Sequence, residues 1–155
     1  MEPTIDDLDP DKPIQILIVE DNRADSLLLR NLIKETGIPS DLTVVNDGEK
    51  AIQFIRSLMN NGNQFPDLVL LDINLPKKNG HEVLSFMRKN AGLDDLCIVM
   101  CSGSISEEDE VMARLNGANA YLVKPIGATE MERMIESIKA ILIALKEGET
   151  APWFK

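Results

Sequence analysis

A chain of 155 residues, 44% of them hydrophobic, is long enough for one domain with a full core and too short for a second substantial one. Its 16 basic and 26 acidic residues give a net charge of -10, which excludes the basic footprint of a nucleic-acid binder and favours partners with basic surfaces or small cations. No run reaches transmembrane length and no signal peptide opens the chain, so a cytoplasmic protein without membrane contact is expected.

Residues 1–13 carry Glu2, Asp6, Asp7, Asp9 and Asp11 among Pro3, Pro10 and Pro13, a composition that buries too little apolar surface to offset ordering and predicts a flexible acidic arm. The run Ile14-Gln15-Ile16-Leu17-Ile18-Val19 predicts a buried strand that ends abruptly in Glu20-Asp21-Asn22. Asp21 or Asn22 is placed to cap a helix with Leu28, Leu29, Leu32 and Ile33 on one broad face, stopped by Gly37. Leu42 to Asn46 predicts a short strand, and Asp47-Gly48 a turn into a helix carrying Ala51, Ile52, Ile55 and Met59, closed at Asn60-Asn61-Gly62-Asn63.

Leu68-Val69-Leu70-Leu71 is too short for a helix, lies between Pro66 and Pro76, and predicts a central parallel strand with Asp72 at its end. In open α/β sheets the ligand crevice lies beyond the carboxyl ends of the strands, so Asp72 is expected to face the site. Asn74, Pro76 and Gly80 supply loop chemistry before a short helix with Val83, Leu84 and Met87. Cys97 to Cys101 predicts a fourth buried strand running into Ser102-Gly103-Ser104. The two cysteines lie about 13 Å apart along it and cannot bridge, and without CxxC spacing or a companion histidine they read as small core hydrophobes. Ser106 with Asp109 has the form of a capping box for a helix with Val111, Met112 and Leu115 on its apolar face. Tyr121-Leu122-Val123 predicts a fifth strand ending in Lys124-Pro125, and 128–146 the longest helix. Strands alternating with helices imply a doubly wound α/β domain, with a five-stranded parallel sheet and helices on both faces.

One sheet edge thus collects Glu20, Asp21, Asp72, Ser102 and Lys124, from four different strand ends. Three carboxylates at one crevice repel one another unless a divalent cation or a lysine neutralises them, and hard oxygen donors suit Mg2+. Flanked by a metal and the Lys124 ammonium, a carboxylate oxygen of Asp72 can attack an electrophilic phosphorus, and Ser102 can donate to a phosphoryl oxygen. Taken singly, Glu20-Asp21 is as readily a helix cap, Ser102 a turn residue and Tyr121 an ordinary strand aromatic. His81, the only histidine, reads as a solvated residue at a helix start.

The order and spacing of Glu20-Asp21, Asp72 with Asn74, Pro76 and Gly80, Ser102, Tyr121 and Lys124-Pro125 resemble a two-component response regulator receiver domain, over about residues 14–146. That resemblance implies a flavodoxin-like strand order 2-1-3-4-5 and phosphorylation of Asp72 by a histidine kinase's phosphohistidine. It implies direct Mg2+ ligation by Asp21 and Asp72, a role for Glu20 through water, and the Asn74 backbone carbonyl as a further ligand. Lys124 is to pair with the acyl phosphate, and Ser102 and Tyr121 are to form the switch. The stretch from Asn74 to Leu84 is most similar to stand-alone receivers serving bacterial phytochromes. Glu20 stands where many members carry Asp, and Ile126 where Phe is frequent; Lys124-Pro125 is expected to be cis.

The expected protein is therefore a single-domain response regulator signalling by protein contact, with 147–155 a short tail that leaves no room for a DNA-binding output domain. Two alternatives stand beside it. A degenerate receiver would act as a binding module without phosphorylation, and an aspartyl-phosphate phosphatase would need Asp where Asn74 stands. Ile143, pointing away from the apolar stripe Ile138, Ile141, Leu142 and Leu145, together with Trp153 and Phe154, leads us to expect a homodimer through the fifth strand and fifth helix.

Overall fold

The computed structural model describes residues 13–62, 64–90 and 96–133 of the chain. The expected acidic arm up to residue 12, the part of the expected long helix beyond 133, including Ile143, and the Trp153-Phe154 tail lie outside the described residues.

Strands β1 (Ile14–Val19), β2 (Ser40–Val45), β3 (Leu68–Asp72), β4 (Cys97–Ser102) and β5 (Ala120–Val123) alternate with helices α1 (Arg23–Glu35), α2 (Gly48–Asn61), α3 (Gly80–Lys89) and α4 (Glu107–Leu115). A further helix, α5, starts at 128 and continues to the last described residue. All strand pairs are parallel, in the order β2-β1-β3-β4-β5. Successive residues of a strand face opposite sides of the sheet, and both sides are covered. Ile16, Ile18, Leu68, Leu70, Cys97 and Cys101 pack with Leu29, Leu32 and Ile33 of α1 and Met131 of α5. Leu17, Val19, Val69, Leu71, Ile98 and Met100 pack on the other side with Ala51 and Ile55 of α2, Val83, Leu84 and Met87 of α3 and Ala113 of α4. Each large aliphatic side chain so buried contributes about 1.5–3 kcal/mol, which is why the apolar runs of β1, β3 and β4 are nearly unbroken.

Helix starts follow the sequence closely. Asn22, Asp47, Asn79 and Ser106 each accept a hydrogen bond from the backbone N–H three residues on, at 3.0, 2.7, 2.9 and 3.2 Å. Asn22 is the cap of α1, which leaves the Asp21 carboxylate uncommitted. Ser106 caps α4 as expected, but the reciprocal half of a capping box is missing because Asp109 turns its carboxylate to His81.

Three apolar faces differ from expectation. Leu28 on α1, Met59 on α2 and Val111, Met112 and Leu115 on α4 are exposed, Leu115 to 80%, and α4 buries Ala113 instead. Helical spacing locates an apolar stripe without saying which side the sheet covers, and a nine-residue helix packs through little more than one residue.

Candidate functional site

The register aligns the strand ends. Val19 pairs with Leu71, Asp72 with Cys101, and Ser102 with Val123, so Glu20 and Asp72 leave the sheet level with each other, Ser102 one residue beyond them and Lys124 two. Glu20 is 3% exposed; its Oε1 accepts from the Asn22 N–H at 3.1 Å and its Oε2 from Lys124 Nζ at 2.6 Å. Burial raises the Glu20 carboxyl above its ordinary range, the Lys124 hydrogen bond opposes this, and the Asp72 charge adds to it. Asp72 is 5% exposed, whereas Asp21 is exposed and has no hydrogen bond or ion pair among the described residues. One carboxylate oxygen from each of Glu20, Asp21 and Asp72 lies within 4.8 Å of the others. Three hard oxygen donors with a single ammonium among them leave surplus negative charge at short range, and that donor set fits a divalent cation such as Mg2+.

Lys124 follows β5, joined to Pro125 by a cis peptide bond, and its N–H donates to the Ser102 carbonyl at 2.7 Å. Its Nζ lies 2.6 Å from Glu20 Oε2, 3.2 Å from Asp25 Oδ2 and 3.5 Å from Asp72 Oδ1, with the side chain 16% exposed. Burial pushes the ammonium towards deprotonation, but the Glu20 hydrogen bond, the charges of Asp72 and Glu20, and Asp25 together outweigh it. Lys124 is held above its ordinary value and stays charged. Ile126, two residues on, is buried with the α1-side core in place of the frequent aromatic.

The remaining expected site residues stand apart from this cluster. Ser102 is buried, but its Oγ donates to the Ser104 carbonyl at 3.0 Å and accepts from the Ser104 N–H at 3.2 Å, turned onto its own loop. Tyr121 packs against the core on the α2–α4 side, its hydroxyl buried without a hydrogen-bond partner. Asn74 is exposed in the loop after Asp72. That loop is clamped by two close approaches: a Cβ on Gly80 would meet the Asp72 carbonyl oxygen and one on Gly48 the Lys78 carbonyl oxygen, both closer than any real contact. Gly80 N–H also donates to Ile73 O at 2.8 Å.

Two further side chains were not anticipated. Asp25 reads from sequence as an ordinary first-turn acid, and only the fold brings Lys124 to it. His81 sits at the start of α3 as expected, but it is not solvated: its side chain is 14% exposed and Nε2 lies 3.0 Å from Asp109 Oδ1, tying α3 to α4. The signal was faint, an acid at the third position of a helix 28 residues away.

Comparison with known proteins bears on this arrangement. Residues 16–136 match the response regulator receiver domain. The probable methanogenesis regulatory protein FilR2 of Methanothrix harundinacea (strain 6Ac) is 35% identical over 134 residues, 86% of each chain. Response regulator Rcp1 of Synechocystis sp. is 34% identical over 129 residues, 83% of this chain and 88% of Rcp1. The crystal structure of Mn2+-bound Rcp1 superposes with a TM-score of 0.69 at 33% identity, over 83% of this chain and 93% of that one. The phosphorylated cyanobacterial phytochrome response regulator RcpA superposes with a TM-score of 0.70 at 31% identity, over 91% of this chain and 99% of that one. In sequence and in fold, this chain belongs to the response regulator receiver domain family.

Proposed function

We propose that this response regulator is a phosphoryl-accepting switch, with Asp72 the acceptor and a sensor histidine kinase the donor. The observation that carries the reading is the convergence of Glu20, Asp21 and Asp72 at one sheet edge, with a lysine that stays charged, Lys124, against two of the three. An Asp72 carboxylate oxygen forms the new bond to phosphorus while the bond from phosphorus to the phosphohistidine nitrogen breaks, leaving an acyl phosphate and a free imidazole. Asp21, Asp72 and the Asn74 backbone carbonyl, with Glu20 acting through water, would hold Mg2+, which supplies fixed positive charge against the phosphoryl oxygens. Lys124 pairs with the transferred group, and Ser102 leaves Ser104 to donate to it. Vacating that loop position draws Tyr121 further under α4, which presents the new state to a protein partner.

The likeness to the cyanobacterial phytochrome response regulator RcpA supports a kinase of the phytochrome type, and a cytoplasmic setting belongs to the same proposal. Among the described residues no helix is long and apolar enough to cross a membrane. Self-association through β5 and α5 belongs to the same proposal, and sedimentation of Ile143→Glu against the unaltered chain tests it.

Acetyl phosphate with Mg2+ tests the acceptor directly. Mass spectrometry should find a single phosphoryl adduct on the unaltered protein and none on Asp72→Asn, since an amide is not a competent nucleophile there. An adduct on Asp72→Asn would place the chemistry elsewhere. No adduct on either protein would favour a phosphorylation-independent binding module.

A further inference from the structure

Lys124 is held by one acid that the metal site does not use. Asp25 Oδ2 lies 3.2 Å from Lys124 Nζ, nearer than Asp72 at 3.5 Å, and Asp25 is not among the three acids whose oxygens converge. An acid in the first turn of a helix ordinarily needs no further reason, because it complements the partial positive charge of the helix N-terminus. Here the cap itself is Asn22, and the Asp25 carboxylate is turned to a lysine 99 residues away in sequence. Beside the pair opens a cleft of about 290 Å³, lined by Asp25 and Lys124 together with Leu28, Gly103, Pro125 and Ile126. The lysine therefore has free volume next to Asp25, while its other two partners, Glu20 and Asp72, are buried.

An ammonium has three protons; Lys124 donates to Glu20 and Asp25 and stands 3.5 Å from Asp72 as an ion pair, so three carboxylates compete for it. A phosphoryl group on Asp72 replaces the single negative charge of its carboxylate with about two on the phosphoryl oxygens, in one of those three directions, and must draw the ammonium away from the others. Glu20 is shared with the proposed metal site, so Asp25 is the partner whose carboxylate, among the described residues, bonds to the lysine alone.

We infer that Asp25 is a positioning residue acting through Lys124. It holds the ammonium off Asp72 while that side chain is unmodified and competes with the phosphoryl group for it afterwards. Asp25 thereby sets how strongly modification of Asp72 recruits the lysine. The inference rests on Asp72 being the phosphoacceptor. Because the Asp25 side chain is 41% exposed, water screens its hold, so its removal shifts the balance by about two- to fivefold rather than abolishing it.

The test titrates the full-length protein with beryllium fluoride, a mimic of the phosphoryl group, in Mg2+. Unaltered protein and Asp25→Asn are compared, with the Lys124 side-chain resonances followed by NMR and assigned from Lys124→Arg. Asp25→Asn should bind the mimic about two- to fivefold more tightly, and before any mimic is added its Lys124 resonances should already lie towards their mimic-bound positions. Tighter binding with unmoved Lys124 resonances would mean simple charge repulsion and would overturn the inference. So would equal affinities, including the case in which only thermal stability falls, which is the helix-end role alone. Failure of the unaltered protein to bind the mimic would instead remove Asp72 as acceptor, and the inference with it.

Discussion

The Lys124 ammonium sits 2.6 Å from Glu20 Oε2 and 3.5 Å from Asp72 Oδ1, so the resting lysine is committed to its glutamate neighbour more closely than to the proposed phosphoacceptor. The neighbouring acids divide accordingly. Both Glu20 oxygens already serve protein donors, whereas Asp21 is exposed and has none among the described residues. Asp21→Ala should therefore weaken Mg2+ binding more than Glu20→Ala, by about tenfold or more, because it removes a direct charged ligand rather than an outer partner. Calorimetric titration of both variants measures the ratio, and equal losses would show that the two acids share one role.

Removing the lysine should expose what it neutralises. Lys124→Ala leaves Glu20 and Asp72 buried beside each other without a countercharge. Loss of one partner from a buried ion pair is strongly destabilising, and with Lys124 partly exposed the cost in EDTA should be about 2–3 kcal/mol. Mg2+ should return part of that stability and bind more tightly than to the unaltered protein, since a competing cation is gone. In the same variant, beryllium fluoride should no longer shift the ring resonances of Tyr121, the chain's single tyrosine. A Tyr121 response of normal size would refute the coupling.

The loop behind Asp72 depends on two missing side chains. In Gly80→Ala the new Cβ would lie 2.4 Å from the Asp72 carbonyl oxygen, and in Gly48→Ala 1.8 Å from that of Lys78; both obstacles are backbone. Each should cost about 3 kcal/mol by chemical denaturation, the upper end of ordinary overpacking. Gly37→Ala is the comparison, with a φ of +73° and no atom within 4 Å of its Cβ, and should cost only about 1 kcal/mol.

Burial pushes the thiols of Cys97 and Cys101 up from the ordinary 9 to about 12. At pH 8 both should resist iodoacetamide in the folded protein and react once it is unfolded, a contrast read by mass spectrometry. Above pH 9 the unfolded chain releases protons that the folded state retains, so stability should fall as pH rises from about 9 towards about 12. Fast labelling of either thiol under native conditions would contradict their place in the core.

The elements legible in the sequence were those governed by local chemistry. Nearly unbroken apolar runs marked β1, β3 and β4, because a strand covered on both faces has little polar side to display. Asn, Asp and Ser before the helices supplied their caps, and acids at two strand ends with a lysine at a third pointed to a single edge. The parallel order β2-β1-β3-β4-β5 followed from resemblance rather than from any local signal.

What remained was decided by contacts between distant segments. Val111, Met112 and Leu115 have helical spacing, yet the sheet meets Ala113, because the docking side of a short helix depends on its neighbours. His81 has nothing in its own segment to mark it as partly buried, and its partner Asp109 arrives with another helix. Whether a hydroxyl or a carboxylate serves the site depended in the same way on geometry of a few ångströms, as with Ser102 turned onto Ser104 and Asp25 turned onto Lys124. The sequence by itself therefore determined which residues arrive at the edge of the sheet, since periodicity and strand length act within a segment. Only the tertiary structure decided how the single ammonium is divided among Glu20, Asp25 and Asp72, because that division depends on distances between chain segments about fifty to a hundred residues apart, where Coulomb energy changes steeply with separation.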